Sequence, residues 1–147
     1  MSEQTWNAGK VVVGVDGSKP SRRALEWALR YAEATGASVT AVQAWRMPFD
    51  SGSGAMVVTA TQYAARARRE LNTTVDEIAA ERPRVRVERH VAEGHPAPAL
   101  IDQSKDAELL VVGSRGHGGF VGAIIGSVSQ YCVHHAPCPV LIIRNAE

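Results

Sequence analysis

The stretch LLVVGSRGHGGFVGAIIGSVS, residues 109–129, is the most informative part of this chain. Its opening apolar run predicts a buried strand, and the glycines that follow predict a loop. Ser127, with Gln130 three residues later, predicts the N-cap of a helix with a capping box. Glycine lets backbone N–H groups approach an anion closely, and a helix start adds unpaired N–H donors and the positive end of the helix dipole. The stretch therefore predicts a strand–loop–helix unit that can bind phosphate.

The rest of the chain alternates between strand and helix patterns. Apolar runs predict strands at residues 11–15, 38–45, 108–113 and 140–144, and Val85, Val87 and Val91 indicate one more strand. Apolar residues at helical spacing predict a helix that Gly36 ends, a long helix between a loop at 46–59 and Pro83, and helices at 97–104 and 127–135. Such alternation favours right-handed crossovers and a parallel sheet with helices on both faces. Because the chain has no internal repeat or linker, residues 1–147 are expected to form a single α/β domain.

The charge balance and cysteine content argue against several classes of protein. A net charge of +1 gives no general attraction to nucleic acid or to an anionic membrane, so neither is expected as a partner. Residues 116–143 contain no Asp, Glu, Lys or Arg, but histidine, serine and proline interrupt every apolar span long enough to cross a membrane. With no apolar signal segment at its start and only two cysteines, the chain is expected to be cytoplasmic.

The glycine spacing matches neither of two common nucleotide-binding patterns. A dinucleotide fingerprint beginning at Gly116 needs a glycine at position 121, where this chain has Val121. A P-loop ending at Ser127 needs a lysine before the serine, where this chain has Gly126. The spacing that is present is Gly113-x2-Gly116-x9-Gly126-Ser127.

This spacing resembles that of the universal stress protein family, in particular its ATP-binding branch. The resemblance extends to VVVGVDGS at residues 11–18 and to HHAPCPVLII at residues 134–143. It implies a Rossmann-like domain, of the type called adenine nucleotide alpha hydrolase-like, with a five-stranded parallel sheet in the order 3-2-1-4-5. In that order the ligand crevice lies between the first and fourth strands, so Asp16 and Gly113 are expected beside the same crevice.

The resemblance also implies a ligand and the residues that contact it. The ligand is ATP, with Mg²⁺ or Mn²⁺ bound through its phosphates. The phosphates are expected on the backbone around the glycines and the helix start, and the adenosine near a carboxylate and the end of the second strand. The cofactor-binding residues implied in this way are Gly14, Val15, Asp16, Ala44, Gly113, Arg115, Gly116, Gly126, Ser127, Val128 and Ser129.

Several of these residues also have a purely structural explanation. The glycines can serve as turn residues of a loop, and Ser127 can cap a helix. Asp16 can form a turn by bonding its own backbone ahead of Gly17. Arg115 is the only cation in the loop, and it is explained equally well as a phosphate ligand in place of the missing P-loop lysine or as an ordinary exposed arginine.

No catalytic constellation is recognisable, so the chain is expected to be a nucleotide-dependent stress-response or signalling module. Cys132, His134, His135 and Cys138 lie within seven positions, but the C-x2-C spacing is absent, which favours buried thiols and surface histidines over a zinc site. The alternatives that stay open are a binder of cyclic AMP or another adenine nucleotide, a slow ATP hydrolase or nucleotidyl-transfer domain, and an interaction protein whose nucleotide site has decayed.

The last predicted strand gives a physical reason for dimerisation. Val140–Ile143 is strongly apolar, and in the implied strand order it lies at an edge of the sheet. An exposed apolar edge promotes aggregation unless it is covered or paired. Twofold pairing of this strand with its copy would cover it, and the family resemblance implies the same arrangement. A homodimer is therefore expected, while the downstream protein partner is not predicted.

Overall fold

The computed structural model describes residues 9–47, 59–114 and 125–144. Strands and helices alternate through these ranges, and all the strands pair in parallel in one sheet. The elements are β1 (Lys10–Gly14), α1 (Lys19–Thr35), β2 (Ser38–Trp45), α2 (Ala60–Ala79), β3 (Val87–Glu93), α3 (Pro96–Gln103), β4 (Leu109–Gly113), α4 (Ser127–His135) and β5 (Val140–Ile143). The strand order is β3-β2-β1-β4-β5. This confirms the predicted fold class, including the order 3-2-1-4-5.

Two apolar clusters hold the layers together, one on each face of the sheet. On the first face, Val11 and Val13 of β1 pack with residues of α1 and α2 that include Leu25 and Leu71. On the second face, Val12 packs with residues of α3 and α4, among them Leu100 and Cys132. Because successive side chains of a strand point to opposite faces, a central strand such as β1 is apolar at each of its buried positions, Val11, Val12 and Val13. This explains why the local sequence of β1 lacks the alternation of a half-exposed strand.

The start of α4 differs from the sequence prediction. The N-cap is Gly126, which has extended dihedral angles (φ −75°, ψ 170°) and no side chain with which to cap the helix. Ser127 is the first helical residue, so the predicted Ser127 cap with a capping box to Gln130 is wrong. The physical reason is tertiary: the Gly126 N–H donates to the carbonyl of Ser114 at 2.6 Å, which brings the start of the helix to the end of β4.

The remaining helix ends follow ordinary capping chemistry. Gly36 ends α1 with a left-handed conformation (φ 83°), as its position in the sequence predicts. Thr59 and Gln62 form a capping box at the start of α2, which was not predicted. The predicted third strand also begins later than expected, at Val87, because the Val85 N–H is engaged in a turn with the carbonyl of Arg82.

The strand order reverses between β1 and β4. From β1 the chain proceeds outward through β2 and β3 on one side, and β4 and β5 lie on the other. The register pairs Val13 with Ala41 of β2 and with Val111 of β4. The helices that follow β1 and β4 therefore leave the carboxyl edge on opposite faces, and a crevice opens between them at this position. In the described ranges, no helix has both the length and the apolar character needed to span a membrane.

Candidate functional site

Gly113 ends β4 at the reversal point and lies directly against α1. A Cβ atom added at position 113 would lie 2.7 Å from the Cβ of Pro20 and 2.8 Å from its carbonyl carbon. Such a contact is too short for any side chain, and one of the atoms that it meets belongs to the backbone. Only glycine therefore allows the first turn of α1 to approach β4 so closely, which is a packing reason for this residue whether or not a ligand is bound.

Asp16 forms the turn between β1 and α1. Its Oδ1 accepts hydrogen bonds from the backbone N–H of Ser18 at 2.9 Å and from the Ser18 hydroxyl at 2.5 Å. The Ser18 Oγ in turn accepts from the N–H of Ser21, which makes Ser18 the N-cap of α1. The Asp16 N–H donates to the Ser21 Oγ at 3.1 Å. The structural role predicted for Asp16 is therefore present, and it holds the half-buried carboxylate at the carboxyl end of β1.

The start of α4 is attached to the end of β4. The Ser129 hydroxyl donates to the carbonyl of Gly113 at 2.6 Å, and Ser129 is only 2% exposed. The first bond within the helix runs from the Gln130 N–H to the Gly126 carbonyl, so the N–H groups of Ser127, Val128 and Ser129 have no acceptor inside the helix. Three backbone donors at the positive end of a helix dipole thus lie beside the reversal point, an arrangement suited to an anion.

The residues that were predicted to lie near the adenosine differ in whether their side chain or only their backbone can reach the crevice. Gly14 and Ala44 share the sheet face that α3 covers: a Cβ at Gly14 would meet a Leu100 methyl at 3.1 Å, and Ala44 follows Val42 of the same cluster by two residues. Val15 is different, because its side chain is 3% exposed and belongs to the core beneath α1. Its N–H donates to the Val42 carbonyl at 2.8 Å. Val15 can therefore border the crevice only through its backbone.

Of the residues predicted to bind nucleotide, the structure brings Gly14, Asp16, Gly113 and the start of α4 to the same edge of the sheet. Ala44 lies one strand farther away, on β2. Arg115 and Gly116 lie outside the described residues, and so does most of the loop predicted at 46–59.

Two further features of the carboxyl edge of the sheet were not predicted from the sequence. An open hollow of about 570 Å³ borders the Asp16 turn and is lined by Asp16, Gly17, Arg22, Arg69, Glu70, Thr73 and Thr74. The Nη1 of Arg46, directly after β2, lies 3.2 Å from the Nε2 of His95, two residues after the end of β3. Both features join segments that are far apart in sequence. The only local signal for them was the position of Arg46 immediately after a predicted strand.

The cysteines and histidines of α4 are separated by burial. Cys132 is completely buried in the second apolar cluster, and this burial, together with the nearby Cys138, raises the pKa of its thiol to about 11. Burial also raises the pKa of Cys138, against a hydrogen bond from Ser104. His134 and His135 are exposed, and the His135 ring packs against Tyr131 with 4.3 Å between ring centroids. Within the ranges that the structure describes, no group of three or more His, Cys, Asp or Glu is placed to hold a metal ion.

A parallel sheet whose order reverses between β1 and β4, with the starts of α1 and α4 beside the reversal, defines a Rossmann-like α/β domain with its ligand crevice at the carboxyl edge. The chain belongs to the universal stress protein family, whose family model matches residues 7–144. This confirms the family predicted from the glycine spacing and the two terminal motifs.

The relatives extend beyond the length of this chain. It is 35% identical over 142 residues to a universal stress protein of Mycobacterium tuberculosis, in an alignment that covers 91% of this chain and 43% of the relative. It is 34% identical over 142 residues to a universal stress protein of Mycolicibacterium smegmatis, with 91% and 45% covered. The chain therefore spans less than half the length of these two curated relatives.

Solved structures share the fold over nearly the whole chain. The universal stress protein UspA from Lactobacillus plantarum aligns with a TM-score of 0.73 at 23% identity, covering 92% of this chain and 97% of that one. A universal stress protein solved in complex with cAMP has a TM-score of 0.71 at 26% identity, with 92% and 96% covered. A family member from Arabidopsis thaliana with AMP bound has a TM-score of 0.60 at 26% identity, with 94% and 93% covered.

Proposed function

We propose that this chain binds an adenine nucleotide in the crevice between the carboxyl ends of β1 and β4, and that its ligand is ATP with Mg²⁺ or Mn²⁺ bound through the phosphates. The observation that carries the proposal is the start of α4, where the N–H groups of Ser127, Val128 and Ser129 lie beside the end of β4. An anion at this position gains donors that have no acceptor inside the helix and the favourable end of the helix dipole at once. The cAMP and AMP held by two similar structures support adenine as the base.

The adenosine would occupy the other side of the crevice. The family resemblance assigns the Asp16 carboxylate to the adenosine and Ala44 to the adenine base, with Gly14 and Val15 along the same wall. The turn that Asp16 forms with Ser18 positions the carboxylate before any ligand arrives, so little ordering is needed on binding. Gly14 lets Leu100 of α3 approach the end of β1, and Ala44 offers only one methyl group to a base.

The described residues support binding more directly than catalysis. At the end of β1 and the start of α4, the groups identified are backbone donors and one carboxylate that is engaged in a turn, and these are groups that bind and orient a ligand. We therefore infer a nucleotide-dependent response module, made of one domain over residues 1–147, that pairs with a second copy through β5. A second candidate ligand is cyclic AMP, because a similar structure at 26% identity holds it.

The test is calorimetric titration of the protein with Mg-ATP, ADP, cyclic AMP and GTP. We expect wild type to bind adenine nucleotides in preference to GTP, and ATP more tightly with the metal than with a chelator. Gly126→Val adds a branched side chain at the start of α4 and is expected to abolish binding. Val133→Ala is the matched control, because Val133 lies on the same helix with 50% exposure and away from its start. A wild-type protein that binds none of the adenine nucleotides would overturn the proposal.

A further inference from the structure

Arg46 and His95 form a contact at the carboxyl edge of the sheet. The 3.2 Å distance joins the Arg46 Nη1 and the His95 Nε2, and both residues are exposed. A guanidinium carries only donors and stays protonated at every physiological pH. A hydrogen bond across this contact therefore has the Arg46 guanidinium as donor and the His95 Nε2 as acceptor, in the tautomer whose proton is on Nδ1.

The backbone around both residues holds this contact in place. The Gly94 N–H donates to the Trp45 carbonyl at 2.8 Å, which joins the residue before His95 to the residue before Arg46. Pro96 follows His95 at the first position of α3, and the residue before a proline is restricted to extended dihedral angles. His95 has this conformation (φ −74°, ψ 147°), and its side chain makes no capping bond to α3. The imidazole is consequently free to serve as a partner for Arg46.

The pair lies next to the base side of the candidate crevice. Arg46 directly follows β2, two residues after Ala44. Its contact with His95 places Arg46 near the face that carries Ala44, because His95 is the N-cap of α3 and α3 covers that face. The N–H donors at the start of α4 lie on the opposite side of β1, beside β4. A nucleotide with its phosphates at α4 would therefore extend its base toward Arg46.

On the basis of the proposed function, we propose that Arg46 stacks its guanidinium on the purine base of the bound nucleotide and that His95 positions it for this contact. A planar guanidinium stacks well on an aromatic ring, and the attraction includes a cation–π component. Ala44 offers the base little apolar surface, so a further side chain in contact with the base strengthens the binding of the nucleotide. By accepting a hydrogen bond from Nη1, His95 limits the rotamers of Arg46 and reduces the entropy lost when the base is bound.

The experiment compares AMP with ribose 5-phosphate, which lacks the base. Arg46→Ala is expected to weaken AMP binding about fivefold or more, as stacking contacts do, and to leave ribose 5-phosphate unchanged. Arg86→Ala is the matched control, since Arg86 is exposed and precedes β3, at the opposite edge of the sheet. Equal losses for both ligands in Arg46→Ala would show that Arg46 acts only through its charge, and would overturn the inference.

The positioning role of His95 has its own readout. His95→Ala is expected to lower the ratio of AMP affinity to ribose 5-phosphate affinity, whereas His95→Gln, which keeps an acceptor, restores most of it. A ratio that does not change in His95→Ala overturns the positioning role. If wild type binds no adenine nucleotide, AMP included, both the proposed function and this inference are wrong. If it binds AMP and Arg46→Ala does not weaken that binding, the inference alone is wrong.

Discussion

Single residues at the crevice are constrained first by packing and only then by any ligand. Gly113 belongs to the glycine spacing that identifies the family, yet its nearest neighbour is Pro20 of α1 rather than an open loop. Asp16 forms the turn before α1 and also borders the crevice. A variant at either position can therefore lose binding simply because the edge of the sheet moves. The stability of such a variant therefore has to be measured together with its affinity for the nucleotide.

We expect Gly113→Ala to destabilise the fold by about 1–3 kcal/mol, because its Cβ would lie 2.7 Å from Pro20 and α1 would have to shift. Urea denaturation of the nucleotide-free protein measures this effect. Gly14→Ala is the matched control, since its Cβ would meet only a Leu100 methyl at 3.1 Å and should cost less. Equal stability of Gly113→Ala and wild type would contradict the packing explanation.

We expect Cys132 to resist alkylation in the native protein. Its thiol is fully buried and burial raises its pKa to about 11, so only about one in a thousand is ionised at pH 8. Mass spectrometry after iodoacetamide treatment at pH 8 should find Cys132 unmodified until the chain is unfolded in urea. Cys138, which is partly exposed, serves as the internal reference. Native labelling of Cys132 as fast as in urea would show that it is not buried.

At the scale of the elements, α4 is positioned by a serine other than the one that the local sequence favours. Ser127 has the residue type of an N-cap but is the first residue of the helix, with Gly126 in the cap position. Ser129, two residues farther along the helix, bonds the end of β4 instead. The orientation of the N–H donors toward the crevice therefore depends on a contact between two elements, and not on capping within one.

This contact predicts a difference between two serines that are two residues apart. Ser129→Ala is expected to destabilise the fold by about 1–2 kcal/mol, because it removes the hydroxyl that bonds the Gly113 carbonyl. Ser127→Ala, at an exposed position, should cost less than about 0.5 kcal/mol. Thermal or urea denaturation of both variants measures the difference. The opposite ranking would restore Ser127 as the cap.

At the scale of the whole molecule, the two edges of the sheet are unlike. β3 carries charged residues along its length, among them Glu88 and Arg89, and such charges discourage pairing with another chain. β5 is VLII and has none. The carbonyls of Pro139 and Ile143 accept hydrogen bonds from the N–H groups of Leu110 and Ser114, on the β4 side. Because the backbone groups of a strand alternate in direction, the N–H and carbonyl groups of Val140 and Ile142 point to the open edge.

This asymmetry makes the proposed homodimer testable with one residue. Ile142→Pro removes an N–H from the open edge and none from the ladder with β4, so it is expected to yield a monomer. Ile142→Val keeps the N–H and should stay dimeric. Light scattering at micromolar concentration gives the oligomeric state, with circular dichroism to confirm that both variants fold. A monomeric wild type would contradict the proposal directly.

Much of the fold could be predicted from local patterns. The buried strands, the helix ended by Gly36 and the alternation of the two element types depend on neighbours within a few residues, where hydrophobic periodicity and turn chemistry act. The strand order came from resemblance to a family, since no local pattern specifies which strands pair. The glycine spacing, in the same way, indicated the family more firmly than it indicated the role of each glycine.

The contacts between segments that are distant in sequence could be identified only from the folded structure. Pro20 lies against Gly113, Ser129 bonds the end of β4, and Arg46 meets His95 across the ends of two strands. None of these pairs has a signature in the sequence, because each depends on strand order and helix placement rather than on spacing. Local chemistry therefore determines which elements form, whereas the assembled sheet decides which of their residues share the crevice.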